Sequence, residues 1–211
     1  MTIKKYGHAC LLMDVGGVKL ITDPGSYSPL PDATGVAAVL VTHEHQDHMD
    51  VGNIKGIQAA NPGVRIISHA DVVAKLKDAG IAAETIEPGQ TIDINGVSVE
   101  SFGTEHAIIY KTSPCRNCGF LVGGELFITG DALHDIPTNH VRILALPTSG
   151  PWMKVADAID YVNNVKPEIA FPVHDALYTD AVQRSIGHWM APNFEGGTKY
   201  IDLAPGEEKE F

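Results

Sequence analysis

The run His43-Glu44-His45-Gln46-Asp47-His48 places three imidazoles and the Asp47 carboxylate within six residues. On an extended chain, side chains two residues apart point the same way, so His43 and His45 can bind one ion together. Asp47 and His48 come where a strand turns into a helix, and they can therefore face a second position nearby. Imidazole and carboxylate are ligands that Zn²⁺, Mn²⁺ and Fe²⁺ accept. The pattern predicts a metal site, and the alternative is a solvated loop that happens to be rich in histidine.

The apolar segment directly before this run, Val36–Thr42, must position it and is typical of a strand buried on both faces. Elsewhere, strand patterns separated by Gly-Gly or Asn-Gly turns alternate with a few helical stretches. The predicted strands are Cys10–Val15, Val18–Thr22, Val36–Thr42, Val64–Ser68, Thr91–Ile94, Val97–Phe102, Cys118–Val122, Leu126–Thr129, Val141–Leu146, Ile169–Pro172 and Lys199–Leu203. The predicted helices are Asp50–Ala60, Asp71–Ala79, Val155–Val165 and a stretch from Asp175 to Met190, and Glu207–Phe211 is expected to be frayed. These elements suit one domain, residues 1–211, with two mixed sheets packed face to face and helices outside.

The composition is that of a globular protein, with 44% hydrophobic and 19% charged residues and a formal net charge of −11. An acidic chain repels phosphate backbones, so a nucleic-acid partner is disfavoured. Two bound divalent cations would offset about four of these charges at the site, which leaves a small anionic substrate open. The sequence has no apolar run of the roughly 20 residues that a membrane span needs and no signal-peptide pattern. We expect a soluble, cytoplasmic protein without membrane insertion, which could self-associate as a homo-oligomer through apolar loops.

The three cysteines, Cys10, Cys115 and Cys118, are too few for a disulfide framework. Cys115 and Cys118 form a C-x-x-C motif, but a structural zinc site would need two further ligands and Cys10 supplies only one. A redox motif would open a helix, whereas this one leads into a strand-like run. We interpret the pair as two cysteines in a loop before a strand, and any further role stays open.

The pattern His43-x-His45-x-Asp47-His48 after an apolar strand resembles the metal-binding signature of the metallo-β-lactamase-fold hydrolases. The resemblance covers nearly the whole chain. Its other parts are Gly7-His8-Ala9, Thr22-Asp23-Pro24, His106, Thr129-Gly130-Asp131 and Pro172-Val173-His174. Leu146-Pro147, Met153 and the helix before Pro167 resemble a subgroup of small single-domain metal-dependent hydrolases. Ascorbate-6-phosphate lactonases and N-acyl-phosphatidylethanolamine phospholipases look related to that subgroup.

This resemblance implies a four-layer αβ/βα sandwich with the site at one edge, between the two sheets. It implies two divalent metal ions, with zinc as the first choice and manganese or iron as alternatives. Carried over residue by residue, it places His43, His45 and His106 on one ion, Asp47, His48 and His174 on the other, and Asp131 between them.

The chemistry of such a pair agrees with this assignment. Two metals about 3.5–4 Å apart can share a water and lower its pKa toward neutrality. Asp47 is the candidate catalytic residue, since a carboxylate there could take or relay a proton. Ligand histidines need their second ring nitrogen fixed, and Asp23 is a candidate for that task, with turn capping as the alternative. His8 is a candidate for contact with substrate or with a ligand, and a structural role is equally open.

Several other side chains have two interpretations. His134, His140 and His188 could line a pocket, although each is more typical of a surface residue. Tyr110, Lys111 and Arg116 lie in a loop that could overhang the metals and contact an anionic substrate, or they could simply be solvated. Trp152 and Met153 could form an apolar wall or pack in the core. His69, at the start of a predicted helix, is interpreted as a residue that takes no part in the site.

The function that these observations favour is dinuclear metal-dependent hydrolysis of a small ester, lactone or phosphodiester. One alternative is a nuclease or phosphodiesterase acting on RNA or DNA, which the acidic charge disfavours. Another is a di-iron oxidoreductase, but such enzymes on this fold have an acidic residue where a ligand histidine stands and carry a flavin domain. A non-enzymatic module would be favoured only if ligands had been lost.

Overall fold

Two seven-stranded mixed sheets pack face to face in the computed structural model, which describes residues 1–211. The first sheet contains β1 (Thr2–Gly7), β2 (Cys10–Val15), β3 (Val18–Thr22), β4 (Val36–Leu40), β5 (Arg65–Ser68), β6 (Glu84–Thr85) and β14 (Glu208–Glu210), in the order β14-β1-β2-β3-β4-β5-β6. The second contains β7 (Thr91–Ile94), β8 (Val97–Phe102), β9 (Gly119–Val122), β10 (Leu126–Ile128), β11 (Ile143–Pro147), β12 (Ile169–Val173) and β13 (Lys199–Tyr200), in the order β13-β12-β11-β10-β9-β8-β7. The helices are α1 (Val51–Ala60), α2 (Ala70–Asp78), α3 (Val155–Val165), α4 (Asp180–Gln183) and α5 (Ile186–Met190), followed by a 3₁₀ turn, Ala191–Asn193.

Three apolar layers hold these elements together, as expected for an αβ/βα sandwich. Leu40 of β4 packs between the two sheets, while its neighbour Val39 packs under α1 and α2 on the outer face of the first sheet. In the same way, Ala145 of β11 faces the layer between the sheets, and Leu144 faces the layer beneath α3 and α5. Side chains alternate between the faces of a strand, so a strand covered on both sides is apolar throughout. The four-layer sandwich predicted from the sequence is confirmed.

Strand direction places six chain segments at one edge of the sandwich. Pairing is antiparallel from β1 through β3 and parallel from β3 to β4, so β1, β3 and β4 run the same way. In the second sheet, β8, β10 and β12 also share one direction, because β9 is antiparallel to both of its neighbours and β10, β11 and β12 are parallel. The carboxyl ends of strands that share a direction meet at the same edge of a sheet, the usual place for a site in folds with parallel strands.

The sequence-based prediction is wrong for the stretch from Asp175 to Met190, which is not one helix but a turn followed by α4 and α5. Ser185 separates the two helices, and its hydroxyl donates back to the carbonyl of Ala181, a bond that competes with regular helix geometry. Gly187 inside α5 packs so closely against Tyr200 that a Cβ would lie 2.3 Å from the ring. The segment is therefore shaped by packing and by a local side-chain bond rather than by its periodicity.

Both chain ends also differ from expectation. The expected frayed end, Glu207–Phe211, instead contains β14, which pairs with β1, and Phe211 packs against Phe171 with 5.2 Å between ring centroids. The hydrophobic pattern does not predict β1, because two lysines interrupt it. One of them, Lys5, is nevertheless completely buried. The predicted strand Lys199–Leu203 shortens to β13. Each of these features depends on a partner far away in the sequence.

None of the helices has the length and apolar character that crossing a bilayer requires.

Candidate metal centre

The residues predicted for the metal site follow the strand ends that meet at one edge of the sandwich. In the first sheet, His8 follows β1, Asp23 follows β3, and the loop His43–His48 comes shortly after β4. In the second sheet, His106 lies beyond β8, Asp131 beyond β10, and His174 directly after β12. The topology thus brings every predicted ligand to one place, although the ligands are spread over more than 130 residues of the chain.

The ligand atoms form two groups, and within each group they lie within 4.8 Å of one another. One group is His43, His45, His106 and Asp131; the other is His8, Asp47, His48 and His174. Asp131 lies between the groups, because its Oδ2 is 3.3 Å from His106 Nε2 and 3.0 Å from His174 Nε2. Its Oδ1 is 3.1 Å from His48 Nε2. One carboxylate therefore faces histidines of both groups.

Side chains of the first sheet orient two of the rings. His48 Nδ1 donates to Asp23 Oδ2 at 2.9 Å, and Asp23 also accepts from the backbone N–H and the hydroxyl of Thr42, at 2.7 and 2.8 Å. Because the Thr42 hydroxyl gives its one proton to Asp23, it must accept at its 3.0 Å contact with His43 Nδ1. Asp23 thus fixes His48 directly and His43 through Thr42, so that in the neutral form of either ring Nε2 carries no proton.

Main-chain carbonyls orient the histidines of the second sheet. His106 Nδ1 donates to the carbonyl of Ala107 at 2.7 Å, and His174 Nδ1 donates to the carbonyl of Ser149 at 2.7 Å. With Nδ1 protonated, each neutral ring presents an Nε2 lone pair to the site. Four histidines from three parts of the chain are therefore held in the same tautomer when their rings are neutral.

Four of the inward-facing atoms are buried and lack hydrogen-bond partners. These atoms are His48 Nε2, His106 Nε2, His174 Nε2 and Asp131 Oδ1. Unpaired buried polar atoms are costly, and lone pairs that face one another across about 3 Å repel unless a cation lies among them. The donor set, imidazole nitrogen and carboxylate oxygen with the second ring nitrogen satisfied, fits borderline divalent metals.

Protonation of the site without a cation follows the same geometry. Burial would lower the pKa of His48, but the negative charges of Asp131 and Asp23 outweigh it and raise that pKa well above its ordinary value. Burial also opposes protonation of His174, yet the carboxylates of Asp131 and Asp47, which a protonated Nε2 would face, raise its pKa to about 9. Burial lowers the pKa of His43 well below its ordinary value. The centre thus attracts positive charge chiefly around His48 and His174.

His8 contacts the second group but differs from its other members. Its Nδ1 accepts from the backbone N–H of Ala176 at 3.2 Å, so the proton of the neutral ring lies on Nε2. Nε2 then donates to Asp47 Oδ2 at 3.2 Å. A nitrogen that carries a proton has no lone pair for a metal, so this geometry favours His8 as a donor to Asp47 rather than as a ligand.

Three residues of the site have left-handed backbone conformations although they are not glycine. The φ angles are 31° for His8, 41° for Asp23 and 56° for His174. Such conformations cost roughly 1–3 kcal/mol each and persist where surrounding contacts impose them. One of these contacts joins the sheets, since the backbone N–H of His174 donates to the carbonyl of His8 at 2.9 Å.

Gly25 is required for a steric reason, because a Cβ at this position would lie 1.8 Å from the carbonyl oxygen of Asp47.

The sequence did not point to Thr42 or Asn117, and it pointed to Trp152 only as a possible apolar wall. Thr42 relays the orientation from Asp23, as described above. Asn117, inside the C-x-x-C motif, accepts from the backbone N–H of Asp131 at 3.0 Å and donates to the carbonyl of Thr129 at 2.9 Å. Trp152 Nε1 donates to Asp131 Oδ2 at 2.9 Å. Only Thr42 could have been found from the sequence, because it directly precedes the run His43–His48. The contacts of Asn117 and Trp152 with Asp131 join residues 14 and 21 positions apart.

The remaining predicted residues take different places. His134 lines a cavity beside the centre, together with Trp152 and Met153. His140 and His188 are exposed and lie outside both groups, and His69 is buried at the start of α2, also outside them. Tyr110 is 76% exposed, Lys111 lies over its ring, and Arg116 is 3.4 Å from Glu87. The three cysteines are free thiols, and Cys115 Sγ is 3.7 Å from His45 Nε2.

Several known proteins are similar to this chain over most of its length. A family model described as a beta-lactamase superfamily domain matches residues 2–174. Protein Rv0786c of Mycobacterium tuberculosis is 34% identical over 184 residues, which cover 84% of this chain and 85% of that protein. The UPF0173 metal-dependent hydrolase MJ1163 of Methanocaldococcus jannaschii is 28% identical over 80% of this chain and 82% of its own length. Among solved structures, Igni18, a metallo hydrolase from Ignicoccus hospitalis, is similar in fold, with a TM-score of 0.77, 18% identity and coverage of 100% of this chain and 98% of that one.

Proposed function

The chain belongs to the family of beta-lactamase superfamily domains, and from that premise we propose that this metal-dependent hydrolase binds two divalent metal ions and cleaves a small ester, lactone or phosphodiester. Metal-dependent hydrolysis itself agrees with the names of its UPF0173 relatives. The number of ions, their ligands and the class of substrate are the proposal.

The observation that carries it is the set of buried Nε2 atoms of His48, His106 and His174, which lack hydrogen-bond partners while Nδ1 of each ring is satisfied. A structural histidine normally has partners for both nitrogens when it is buried. Three such rings that converge on the Asp131 carboxylate support a centre built for cations.

The proposed ligand sets follow the two groups of atoms. His43, His45 and His106 would hold one ion and Asp47, His48 and His174 the other, and Asp131, which faces histidines of both groups, would serve both. His8, which donates to Asp47, is left out of the coordination. Zinc is the first choice and manganese or iron the alternatives, because all three accept nitrogen and carboxylate ligands.

When bound, such a pair of ions would supply an activated water and polarise the oxygen of the scissile group. The chain's own residues would do the rest. Asp47, whose side chain is 21% exposed, is the ligand best placed to pass a proton between the site and solvent. The His8 Nε2–H holds the Asp47 carboxylate in place, and the Trp152 indole N–H does the same for Asp131.

The test is metal analysis of protein purified without chelators and reconstituted with Zn²⁺ or Mn²⁺. It is followed by assays on bis(4-nitrophenyl) phosphate, 4-nitrophenyl esters and simple lactones. We expect two ions per chain and loss of hydrolysis in His48→Ala. His140→Ala is the matched control, since His140 is an exposed histidine paired only with Glu168. One ion per chain or fewer after reconstitution, or full activity of His48→Ala, would overturn the two-metal proposal.

A further inference from the structure

A cavity of about 410 Å³ opens directly beside the candidate metal centre. The ligand His106 forms part of its wall, so a molecule in the cavity touches the centre. Five of its nine lining residues are apolar: Ala107, Ile108, Leu133, Trp152 and Met153. The volume falls within the range of small-molecule sites, and an apolar wall with few polar groups is their usual composition.

Trp152 fixes how this wall meets the metal centre. Its indole N–H donates to Asp131 Oδ2 at 2.9 Å, and its ring stands edge-on to His106 and His174, with centroids 6.0 and 5.8 Å apart. The close approach of Gly150 allows this position, because a Cβ there would lie 2.7 Å from Trp152 Nε1. A group that packs on the indole is therefore held next to the shared carboxylate.

The charged residues around the cavity are carboxylates. Glu105 and Asp157 line it and both are exposed, while no lysine or arginine is among the lining residues. Two cations of the neighbouring loop are engaged elsewhere, since Arg116 contacts Glu87 and Lys111 lies over the ring of Tyr110. A negative group in the cavity would meet two like charges and an apolar wall, and both disfavour it.

We propose that this cavity binds the uncharged, apolar acyl part of a carboxylic ester, so that the substrate is a neutral ester rather than a phosphorylated or carboxylated one. The proposal rests on the proposed hydrolase function and narrows its substrate class. In the reaction, the oxygen of a water molecule bonds to the acyl carbon and the bond from that carbon to the leaving oxygen breaks. One proton of the water goes to the departing alcohol and the other to solvent, which leaves a carboxylate.

A matched pair of substrates tests the charge preference. 4-Nitrophenyl pentanoate and 4-nitrophenyl hemiglutarate have the same leaving group and five-carbon acyl chains, but the second ends in a carboxylate. We expect kcat/KM for the pentanoate to exceed that for the hemiglutarate by about tenfold or more. Glu105→Lys should reduce this ratio about fivefold, the scale of an exposed charge interaction. Glu210→Lys is the control, because Glu210 pairs with Thr2 at the opposite end of β1 from the site.

A second variant tests the shape of the cavity rather than its charge. Leu133 is only half-buried, so Leu133→Ala should fold and enlarge the cavity. Across 4-nitrophenyl acetate, butyrate, pentanoate and octanoate, it should move the highest kcat/KM to a longer chain. An unchanged chain-length profile, or a hemiglutarate that is hydrolysed as well as the pentanoate, would overturn the cavity proposal while leaving the metal-dependent hydrolase in place.

Binding can also be measured without turnover. The chain has two tryptophans, so Trp189→Phe leaves Trp152 as the only indole, and its fluorescence reports occupation of the cavity. Pentanamide should change this fluorescence at lower concentration than glutaramate, its carboxylated counterpart. Equal responses, or none, would overturn the cavity proposal. A response to pentanamide in protein that holds two ions but hydrolyses neither esters nor bis(4-nitrophenyl) phosphate would instead overturn the proposed function.

Discussion

The two sheets supply their shares of the candidate metal centre in different ways. The first sheet presents four ligands from one loop, His43–His48, and the side chains of Asp23 and Thr42 orient two of its rings. The backbone of the loop also packs directly against Gly25, where a larger residue would collide with the carbonyl of Asp47. Most of this half of the centre is assembled within about 25 residues of chain.

The second sheet presents its ligands from separate strand ends, and His106 and His174 are oriented by backbone carbonyls. No substitution removes a carbonyl, whereas a side-chain acceptor is lost by one mutation. The first half should therefore be sensitive to its polar neighbours, and the second half to whatever keeps the strand ends in position. Substitutions in each half, together with a change of pH, can measure that difference.

The largest effect should come from Lys5, which joins the two sheets beside His174. Its ammonium donates to Asp175 Oδ2 at 2.6 Å and to the carbonyl of Pro172 at 2.9 Å, and both charged side chains are buried. Lys5→Met leaves an unpaired buried carboxylate and should lower the free energy of unfolding by about 3–5 kcal/mol. Urea denaturation measures it.

The matched control for Lys5 is the double variant Lys5→Met/Asp175→Leu, which removes both charges. It should recover most of the lost stability, because replacing a buried pair by apolar residues is often neutral. A single variant as stable as the parent would show that the ion pair does not hold this strand end.

Asp131 should matter to both ions, whereas His45 should matter to one. A four-ligand zinc site binds with roughly 10–16 kcal/mol, so one ligand accounts for about 3 kcal/mol, or more than 100-fold in affinity. Asp131→Ala should thus lower the affinity for both ions. His45→Ala should lower it only for the ion assigned to His43, His45 and His106. Metal stoichiometry measured by atomic emission after dialysis separates the cases. Equal loss of both ions in the two variants would contradict the proposed division.

Acidification should release the ions one after the other. The pKa of His174 is raised to about 9 and that of His48 is raised as well, so a proton competes with the metal there as pH falls below about 9. Burial lowers the pKa values of His43 and His45, so competition at that ion begins only at lower pH. The affinity for the ion assigned to Asp47, His48 and His174 should fall about tenfold per pH unit for each proton taken up.

Competition with a chromophoric chelator between pH 9 and pH 5 measures both affinities. Two ions that dissociate together at every pH would argue against separate ligand sets.

The smallest effects compare the two kinds of orienting group directly. Asp23→Asn keeps a side chain that tolerates the left-handed φ of 41° but turns an N–H toward one of its donors. Metal affinity should fall about 10- to 100-fold, as for other groups that orient a ligand. Ser149→Ala removes a hydroxyl near His174 but keeps the carbonyl that accepts from its Nδ1, so affinity should change little. Similar losses in both variants would remove the distinction between the two halves.

Much of the fold was predictable from local signals. The strands β2 and β3 around Gly16-Gly17, β7 and β8 around Asn95-Gly96, and the helix α3 agree with the sequence prediction to the residue. In these places the turn chemistry and the periodicity are contained in a short segment. The prediction failed at β1, β14 and the region of α4 and α5, where pairing or packing with distant residues decides the structure.

At the site, the candidate ligands and their order could be taken from the sequence, and the dense run His43–His48 could be interpreted alone because its spacing is local. The folded chain was needed to learn which ring nitrogens face inward, that His8 donates to Asp47, and that Trp152 joins Asp131 to an apolar cavity. Each of these features depends on hydrogen-bond partners that strand direction and sheet packing bring together. Neither of these is encoded in the spacing of residues along the chain.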